Sequence, residues 1–570
     1  MHVEIIPNRN SKPAILLRES YREGKKVRKR TVGNISKLPM EQVEAIRRIL
    51  KGEKLVPADG TFEIVEGGSR LHGHVEAVMT AMKRLGMATL IASRPSRQRN
   101  LVLAMIAARI LAPQSKLATT RWWSDTTLPE MLEVGDADED DLYEAMDWLL
   151  GRQGHIEKKL AARHLDEDGL ALYDLTSSYF EGVTCPLAAF GHNRDGKKGK
   201  RQVNYGLLTN REGIPVSVSV FEGNVGDPKT LLPQVDKVRD EFGIERFVLV
   251  GDRGMLTQKQ VEAVRQRDGV DWIGALRPEA IRRLVEGGAI QMGLFDERNI
   301  FELEHPEFPG ERLVACRNSD LAVRRAAKRH SLLEATAREL DKVSRMVEGG
   351  RLRGGDKIGV RVGKVVNKYK VAKHFVLDIE DEAFSFHIDE GKVAAEAALD
   401  GIYVVRTSLP KDRMDAAQAV RSYKQLSQVE RAFHSFKTID LMVRPIRHRL
   451  EDRVRAHIFL CTLAYYVLWH MIEAWRPLLF ADEAQQAKKQ RDPVAPAERS
   501  ESAMRKVRTK RLDDGSVVHN FHTLVGHLAA IVRNTCRCRG AGPDEPTFDM
   551  DTTPDQKQRQ ALDLLKTISV

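Results

Sequence analysis

The sequence Leu170-Ala-Leu-Tyr-Asp-Leu-Thr-Ser177 is a short apolar run with one carboxylate, Asp174, near its middle. A run of this length and composition predicts a buried strand, where an unpaired carboxylate would be costly. A basic loop at 193–201 follows, and apolar runs at 203–209 and 215–221 predict two further strands. We therefore expect three consecutive strands that can pair antiparallel, with Asp174 on the first of them.

Strands and helices then alternate. A helix is predicted to begin at Asp227, its N-cap, before Pro228. The continuous apolar run at 247–250 is typical of a buried parallel strand, and Asp252 stands just beyond its carboxyl end. A helix at 257–266 and a strand at 271–276 complete the pattern. This order predicts an RNase H-like α/β core, in which the first and fourth strands are neighbours, so that Asp174 and Asp252 converge.

A third carboxylate lies in residues 423–437, which lack Gly and Pro and repeat apolar residues at steps of three and four. This periodicity predicts an amphipathic helix. Tyr423, Glu430 and Lys437 are spaced by seven and would share one face. A helix packed on the sheet could therefore bring Glu430 to the two aspartates.

Three carboxylates offer hard oxygen ligands, which suit Mg²⁺ or Mn²⁺. Two such ions held by Asp174, Asp252 and Glu430 would support phosphoryl transfer. Each residue also has an ordinary structural interpretation: a turn or N-cap for Asp174, a strand-end ion pair for Asp252 and a solvated helix flank for Glu430.

The amino-terminal segment is strongly basic. Residues 14–32 predict a β-hairpin that turns at Gly24. Its basic residues include Arg22, Lys25, Lys26, Arg28 and Arg30. Such a hairpin could lie along DNA, although a solvated edge hairpin explains the same pattern.

The whole chain has 570 residues and a formal net charge of +11, which favours a polyanionic partner. The first residues contain no apolar signal-peptide core, and the most apolar run, 457–472, is short for a membrane span. We therefore expect a cytoplasmic protein without a membrane partner. The five cysteines show no C-x-x-C spacing, so a zinc finger and a disulfide framework are not supported.

Changes in composition and periodicity predict an α+β multidomain chain with an N-terminal β-hairpin and an α-helical domain. The expected segments are a basic β-rich DNA-binding segment (1–70), an α-helical domain (71–166), the first part of the core (167–282), a β-rich insertion (283–400), the second part of the core with the Glu430 helix (401–480), and a charged linker with a short helix and a loose polar tail (481–570).

Residues Tyr423, Glu430 and Lys437 resemble the Tyr-x2-Arg-x3-Glu-x6-Lys signature of DDE-type insertion-sequence transposases of the insertion sequence four group and its relatives. Leu426 stands where that signature has Arg. The surroundings of Asp174 and Asp252 are similar too, and the resemblance extends over about 170–475.

This resemblance implies a cut-and-paste transposase whose core is interrupted before the third carboxylate. It implies that Asp174, Asp252 and Glu430 bind the metal ions, and that Tyr423, Lys437 and Arg253 contact DNA. The expected partners are the terminal inverted repeats of the element and target DNA, bound by a homodimer, and the expected setting is a bacterial cytoplasm with nucleoid association.

Two alternatives stay open at this point. An RNase H-like nuclease without strand transfer would need the same three carboxylates. A domesticated, non-catalytic DNA-binding protein would keep the basic surfaces. His448 and His457 are more typical of structural residues than of a site.

Overall fold

The computed structural model describes residues 1–8, 12–23, 26–52, 61–295, 299–482, 491–495, 498–539 and 541–570. Lys25 and Gly24, at the predicted turn of the basic hairpin, lie outside the described residues.

The amino-terminal segment is a three-stranded antiparallel sheet with one helix. Its elements are β1 (His2–Ile6), β2 (Ala14–Glu23), β3 (Lys26–Asn34) and α1 (Met40–Leu50). Val3, Ile15 and Val43 form a small core between the sheet and the helix. The predicted hairpin is therefore confirmed as the pair β2–β3, whose outer halves are exposed.

A strand and a group of helices follow. They are β4 (Phe62–Leu71), α2 (Gly73–Arg84), α3 (Met87–Ile91), α4 (Arg97–Leu111), α5 (Lys116–Trp123), α6 (Leu128–Met131), α7 (Glu139–Leu150) and α8 (Gln153–His164). Polar caps define where the longer helices begin: Ser96 accepts a hydrogen bond from the N–H of Arg99, and Asp138 forms a capping box with Asp141. Trp123 is buried among these helices.

The centre of the molecule is an eight-stranded mixed sheet. Its first part contains β5 (Gly169–Tyr179), β6 (Gln202–Thr209), β7 (Pro215–Glu222), α9 (Asp227–Asp236), β8 (Phe247–Gly251), α10 (Gln258–Arg265), β9 (Val270–Ala275) and α11 (Pro278–Glu286). The predicted order of strands and helices is confirmed. Strand β5 pairs antiparallel with β6 and parallel with β8, so the first and fourth strands are neighbours.

The segment predicted as a β-rich insertion is mostly helical in its described residues. It contains β10 (Ile300–Leu303), β11 (Arg312–Arg317), α12 (Ser319–Glu348), α13 (Gly355–Tyr369), β12 (Phe375–Ile379), β13 (Phe384–Ile388) and α14 (Glu390–Ala397). Helices α12 and α13 share an apolar core with the β12–β13 hairpin. Strands β10 and β11 instead join the central sheet, whose full order is β10-β11-β14-β9-β8-β5-β6-β7.

The chain returns to the core through β14 (Ile402–Thr407), α15 (Ala416–Lys424), α16 (Leu426–Lys437) and α17 (Glu451–Ala474). Helix α17 is buried on nearly every side because it packs against α4, α7 and β7. In the part of the chain that the structure describes, no single helix is long and apolar enough to cross a membrane, although α4 and α5, bent by 89°, pass that test as a pair.

The carboxyl end differs from the loose tail that its polar composition predicts. It contains α18 (Glu501–Thr509), α19 (Phe521–Ala529), β15 (Val532–Cys538), β16 (Phe548–Asp551) and α20 (Gln556–Lys566). Strand β15 pairs with β4, from the opposite end of the sequence, and with β16. Helix α20 buries Ala561 and Leu565, one turn apart, so a narrow apolar stripe was sufficient for docking.

Candidate catalytic cavity

Two of the three predicted carboxylates are brought together by a parallel strand pair. In the register of β5 and β8, Tyr173 lies opposite Gly251, so Asp174 and Asp252 are the next residues along the two neighbouring chains. Neighbouring strands are about 4.8 Å apart. Backbone geometry alone therefore places these carboxylates side by side at one edge of the sheet.

The third carboxylate, Glu430, is exposed on α16, which packs on β5. Phe433 and Phe436 anchor this helix through ring contacts with Tyr205 of β6. The predicted single helix over 423–437 is divided at Gln425, so Tyr423 belongs to the last turn of α15 and Glu430 belongs to α16. The two residues still face the same space.

This space is a cavity of about 470 Å³. The predicted residues that line it are Asp174, Asp252, Arg253, Tyr423 and Glu430. Leu426, the residue that departs from the transposase signature, lines it as well and is 8% exposed. An apolar side chain therefore stands where an arginine would have faced the same cavity.

The carboxylates influence one another electrostatically. Burial, together with the neighbouring charges of Asp252 and Glu430, raises the pKa of Asp174 to about 7, against a hydrogen bond from the N–H of Leu175. Burial is also the main cause that raises the pKa of Tyr423, with Asp252 the next. A cation in the cavity would relieve this repulsion.

The donor set fits a divalent cation in its chemistry, since all three groups are carboxylate oxygens from separate elements. Among the described residues, no group of three or more His, Cys, Asp and Glu side chains lies close enough together to form a ready metal site. The three carboxylates therefore share a cavity without being drawn into a tight cluster.

A fourth carboxylate, Asp227, lies beside Asp252. Both carboxylates flank Gly254: a Cβ atom placed on this glycine would lie 3.6 Å from Asp252 Oδ2 and 3.7 Å from Asp227 Oδ2. The predicted N-cap role of Asp227 is wrong: Gly226 is the cap, and Asp227 Oδ1 lies 2.5 Å from Arg194 Nη2. For the carboxylate of Asp227, the guanidinium of Arg194 is a stronger partner than the amides of the helix. The sequence pattern did not reveal this pairing.

Lys437 does not line the cavity. Its ammonium lies 3.0 Å from Asp195 Oδ1, and Arg444 lies 2.5 Å from the same oxygen. The N–H of Tyr179 donates to the other oxygen of Asp195 at 2.8 Å. Burial lowers the pKa of Lys437, and the charge of Asp195 opposes this decrease. Lys437 therefore engages a buried carboxylate of the basic loop, which does not favour a direct phosphate contact.

Arg325, a residue for which the sequence suggested no role, also lines the cavity. It belongs to α12, and its Nη1 lies 3.5 Å from the carbonyl of Leu399 and 3.4 Å from that of Ile402. The inserted segment thus contributes a cation to the same space as the carboxylates. Its sequence signal, a cluster of arginines in a charged helix, does not distinguish it from its neighbours.

The basic residues of the amino-terminal hairpin lie elsewhere and do not line the cavity. Arg22 and Lys26 are exposed. Arg28 and Arg30 form surface ion pairs with Glu23 and Glu19, each at 2.6 Å. His448 and His457 are packed against each other in the core, with ring centroids 4.9 Å apart.

Residues 181–467, just over half of the chain, match the family model of the transposase DDE domain. The chain therefore belongs to the DDE transposase family, whose members are enzymes that cleave and join DNA. Residues 3–58 match the IS1634 family transposase N-terminal domain, which makes this an insertion-sequence transposase. Asp252 and Glu430 lie inside the first match, and Asp174 lies just before it.

The solved structures similar to this chain include a piggyBac transposase synaptic complex with hairpin DNA. That chain is 9% identical, with a TM-score of 0.32, over 70% of this chain and 73% of its own length. No curated protein matches the sequence.

Proposed function

We propose that this transposase works by cut-and-paste: it cleaves DNA at the ends of its element and joins the 3′-ends to a target. The observation that carries the proposal is the shared cavity, which Asp174, Asp252 and Glu430 reach from a strand, a strand end and a helix. Three carboxylates within one cavity of a DDE transposase are suited to phosphoryl transfer.

The core is proposed to be RNase H-like. Support comes from the strand order β7-β6-β5-β8-β9, in which only the second strand, β6, is antiparallel to the first, β5, and the third, fourth and fifth strands run in the same direction as β5. In this arrangement α16 packs on the first strand, which brings Glu430 to the strand that carries Asp174.

Family membership implies dependence on a divalent metal ion, and we propose that Asp174, Asp252 and Glu430 hold two Mg²⁺ or Mn²⁺ ions. Bound ions of this kind activate a water or 3′-hydroxyl and stabilise the leaving oxygen. The surrounding residues orient the DNA: Arg253 and Tyr423 face the cavity and would contact phosphates. Lys437 would act indirectly, by fixing the basic loop through Asp195.

The exposed β2–β3 hairpin, with Arg22, Lys26, Arg28 and Arg30, is proposed to bind the terminal inverted repeats, together with Lys25. Exposed basic side chains on a β-ribbon can follow a phosphate backbone. Pairing of two element ends would require a homodimer. The predicted division into six segments remains part of this proposal.

Replacing Glu430 with Gln tests the catalytic assignment. Glu430 is exposed, so Glu430→Gln should fold normally, bind end DNA as the wild type does and lose more than about a hundredfold in Mg²⁺-dependent cleavage, since metal catalysis contributes several kcal/mol. Glu262→Gln, another exposed helical glutamate, is the matched control. Cleavage by Glu430→Gln at the control rate would refute the assignment.

A further inference from the structure

A second concave surface lies between the basic loop and the inserted segment. This groove has a volume of about 750 Å³. Four lysines line it: Lys198, Lys364, Lys368 and Lys370. Asn367 also lines it, and no carboxylate does so among the described residues. We refer to it as the lysine groove.

Three of these lysines are presented by α13 and its carboxyl end. Helix α13 buries Ile358, Val362 and Val366 against the core that it shares with α12. Lys364 and Lys368 are one turn apart and exposed, because they lie on the face opposite that buried stripe. The apolar packing of the inserted segment thus fixes a row of ammonium groups toward the groove.

Three of the four lysines have no ion-pair partner among the described residues, whereas a hydrogen bond with Tyr369 and the charge of Glu339 raise the pKa of Lys368. In the described ranges, no carboxylate lies within salt-bridge distance of Lys198, Lys364 or Lys370. The ammonium of Lys368 lies over the ring of Tyr369, 4.9 Å from its centroid. Four clustered ammonium groups repel one another, and a polyanion would remove that repulsion.

The basic loop connects the lysine groove to the catalytic cavity. Arg194 pairs with Asp227, and its charge opposes the rise in the pKa of Asp174. Lys198 is four residues further along, so the two backbones are at most about 14 Å apart. Duplex DNA carries one phosphate charge per roughly 1.7 Å of its axis. A duplex that enters the cavity therefore has phosphates within reach of the lysines.

We infer that the lysine groove binds the phosphate backbone of duplex DNA that continues out of the catalytic cavity. This inference rests on the proposed function, because it takes the cavity as the place where DNA is cut. Lysine reads phosphate as a point charge and not base identity, so the interaction is independent of sequence.

The experiment compares two triple variants of the full chain. In the groove variant, Lys198, Lys364 and Lys368 are replaced by Gln. In the control variant, Lys83, Lys158 and Lys259, which are exposed elsewhere, are replaced by Gln. The two variants have equal net charge, so long-range attraction of DNA is reduced alike. Fluorescence anisotropy measures the Kd for a 40-bp end duplex and for a scrambled duplex at several KCl concentrations, without divalent ions.

We expect the groove variant to bind both duplexes at least about tenfold more weakly than the control variant. The slope of log Kd against log salt should fall by up to about 0.9 for each phosphate that a lysine no longer neutralises. Equal binding by the two variants would overturn the inference, as would weaker binding of one duplex alone. Failure of the proposed function has a different signature, since wild-type protein would then not cleave element ends even if the groove bound DNA.

Discussion

At the scale of single residues, the proposed catalytic carboxylates Asp174 and Glu430 lie in very different surroundings. Burial raises the pKa of Asp174 to about 7, whereas Glu430 is exposed on its helix. Asp174, which is half-buried, is fixed by its strand, and Glu430 is carried by a helix that packs on that strand.

The buried ion pairs around Asp195 offer a residue-scale prediction about stability. Its side chain is 1% exposed and faces both Lys437 and Arg444. Asp195→Asn would leave two partly buried cations without their counter-charge, which should cost about 3–5 kcal/mol of unfolding free energy. Urea unfolding measures this decrease.

Glu181→Gln provides the matched control for Asp195→Asn. Glu181 pairs with Lys200 and Arg447 at the surface, so its replacement should cost less than about 1 kcal/mol. Equal decreases for the two variants would contradict the view that burial makes the Asp195 pairs structurally important.

At the scale of elements, helix α12 links the inserted segment to the candidate catalytic cavity. It packs its carboxyl half with α13 and the β12–β13 hairpin, while Arg325 near its start lines the catalytic cavity. A rigid helix of 30 residues therefore joins the basic surface of α13 to the carboxylates. Insertion before the third carboxylate places a cation in the site as well as an additional surface beside it.

Arg325→Gln should reduce DNA cleavage by roughly tenfold or more, because a fixed cation near the reacting phosphate stabilises developing negative charge. Its neighbour Arg324 is exposed on the same helix and does not line the cavity, so Arg324→Gln should keep wild-type cleavage. Single-turnover cleavage of an end duplex, with thermal unfolding to verify the fold, distinguishes the two. A similar reduction in both variants would show that only the net charge of the helix matters.

At the scale of the whole molecule, the local sequence pattern predicted the features that depend on backbone periodicity, namely the strands of the core and their order. Apolar runs and the residues that end them were sufficient to place Asp174 and Asp252 on neighbouring strands. Pairing of β4 with β15 was not predictable, because it joins segments at opposite ends of the chain, and mostly exposed strands specify their partner and register weakly.

The local sequence pattern also did not predict which side chains contact each other in the tertiary structure. The heptad spacing of Tyr423, Glu430 and Lys437 suggested one common surface. Lys437 instead turns to Asp195, whereas Arg325 reaches the cavity from a distant helix. Which cation faces the carboxylates depends on how separate elements pack, and spacing within one helix contains no information about that.

The core as a whole should also make the protein sensitive to acid, because it buries several neutral histidines. Burial lowers the pKa of His74 and His164 to about 4 and that of His448 and His470 to about 3, and it lowers the pKa of His457 as well. In the unfolded chain these groups titrate near pH 6.5.

Below that pH the unfolded state binds more protons than the folded state, so stability must fall as pH decreases from about 6.5 toward 4. Each histidine contributes up to about 1.4 kcal/mol per pH unit in this range. Asp174 acts in the opposite direction, since its raised pKa makes the folded state the better proton acceptor between its unfolded value of 3.8 and about 7. Asp174 therefore offsets the contribution of about one of the five histidines, and the free energy of unfolding still increases with pH.

Urea unfolding at pH 7.5, 6.5 and 5.5 should therefore give a free energy that falls steadily with pH. His470→Gln removes one of these groups, and its stability should decline less steeply, by up to about 1.4 kcal/mol per pH unit, even if the variant is less stable at pH 7.5. Stability that is level or that rises on acidification would mean that the buried histidines bind protons without unfolding. The helical core around α17 would then be more open to water than its packing indicates.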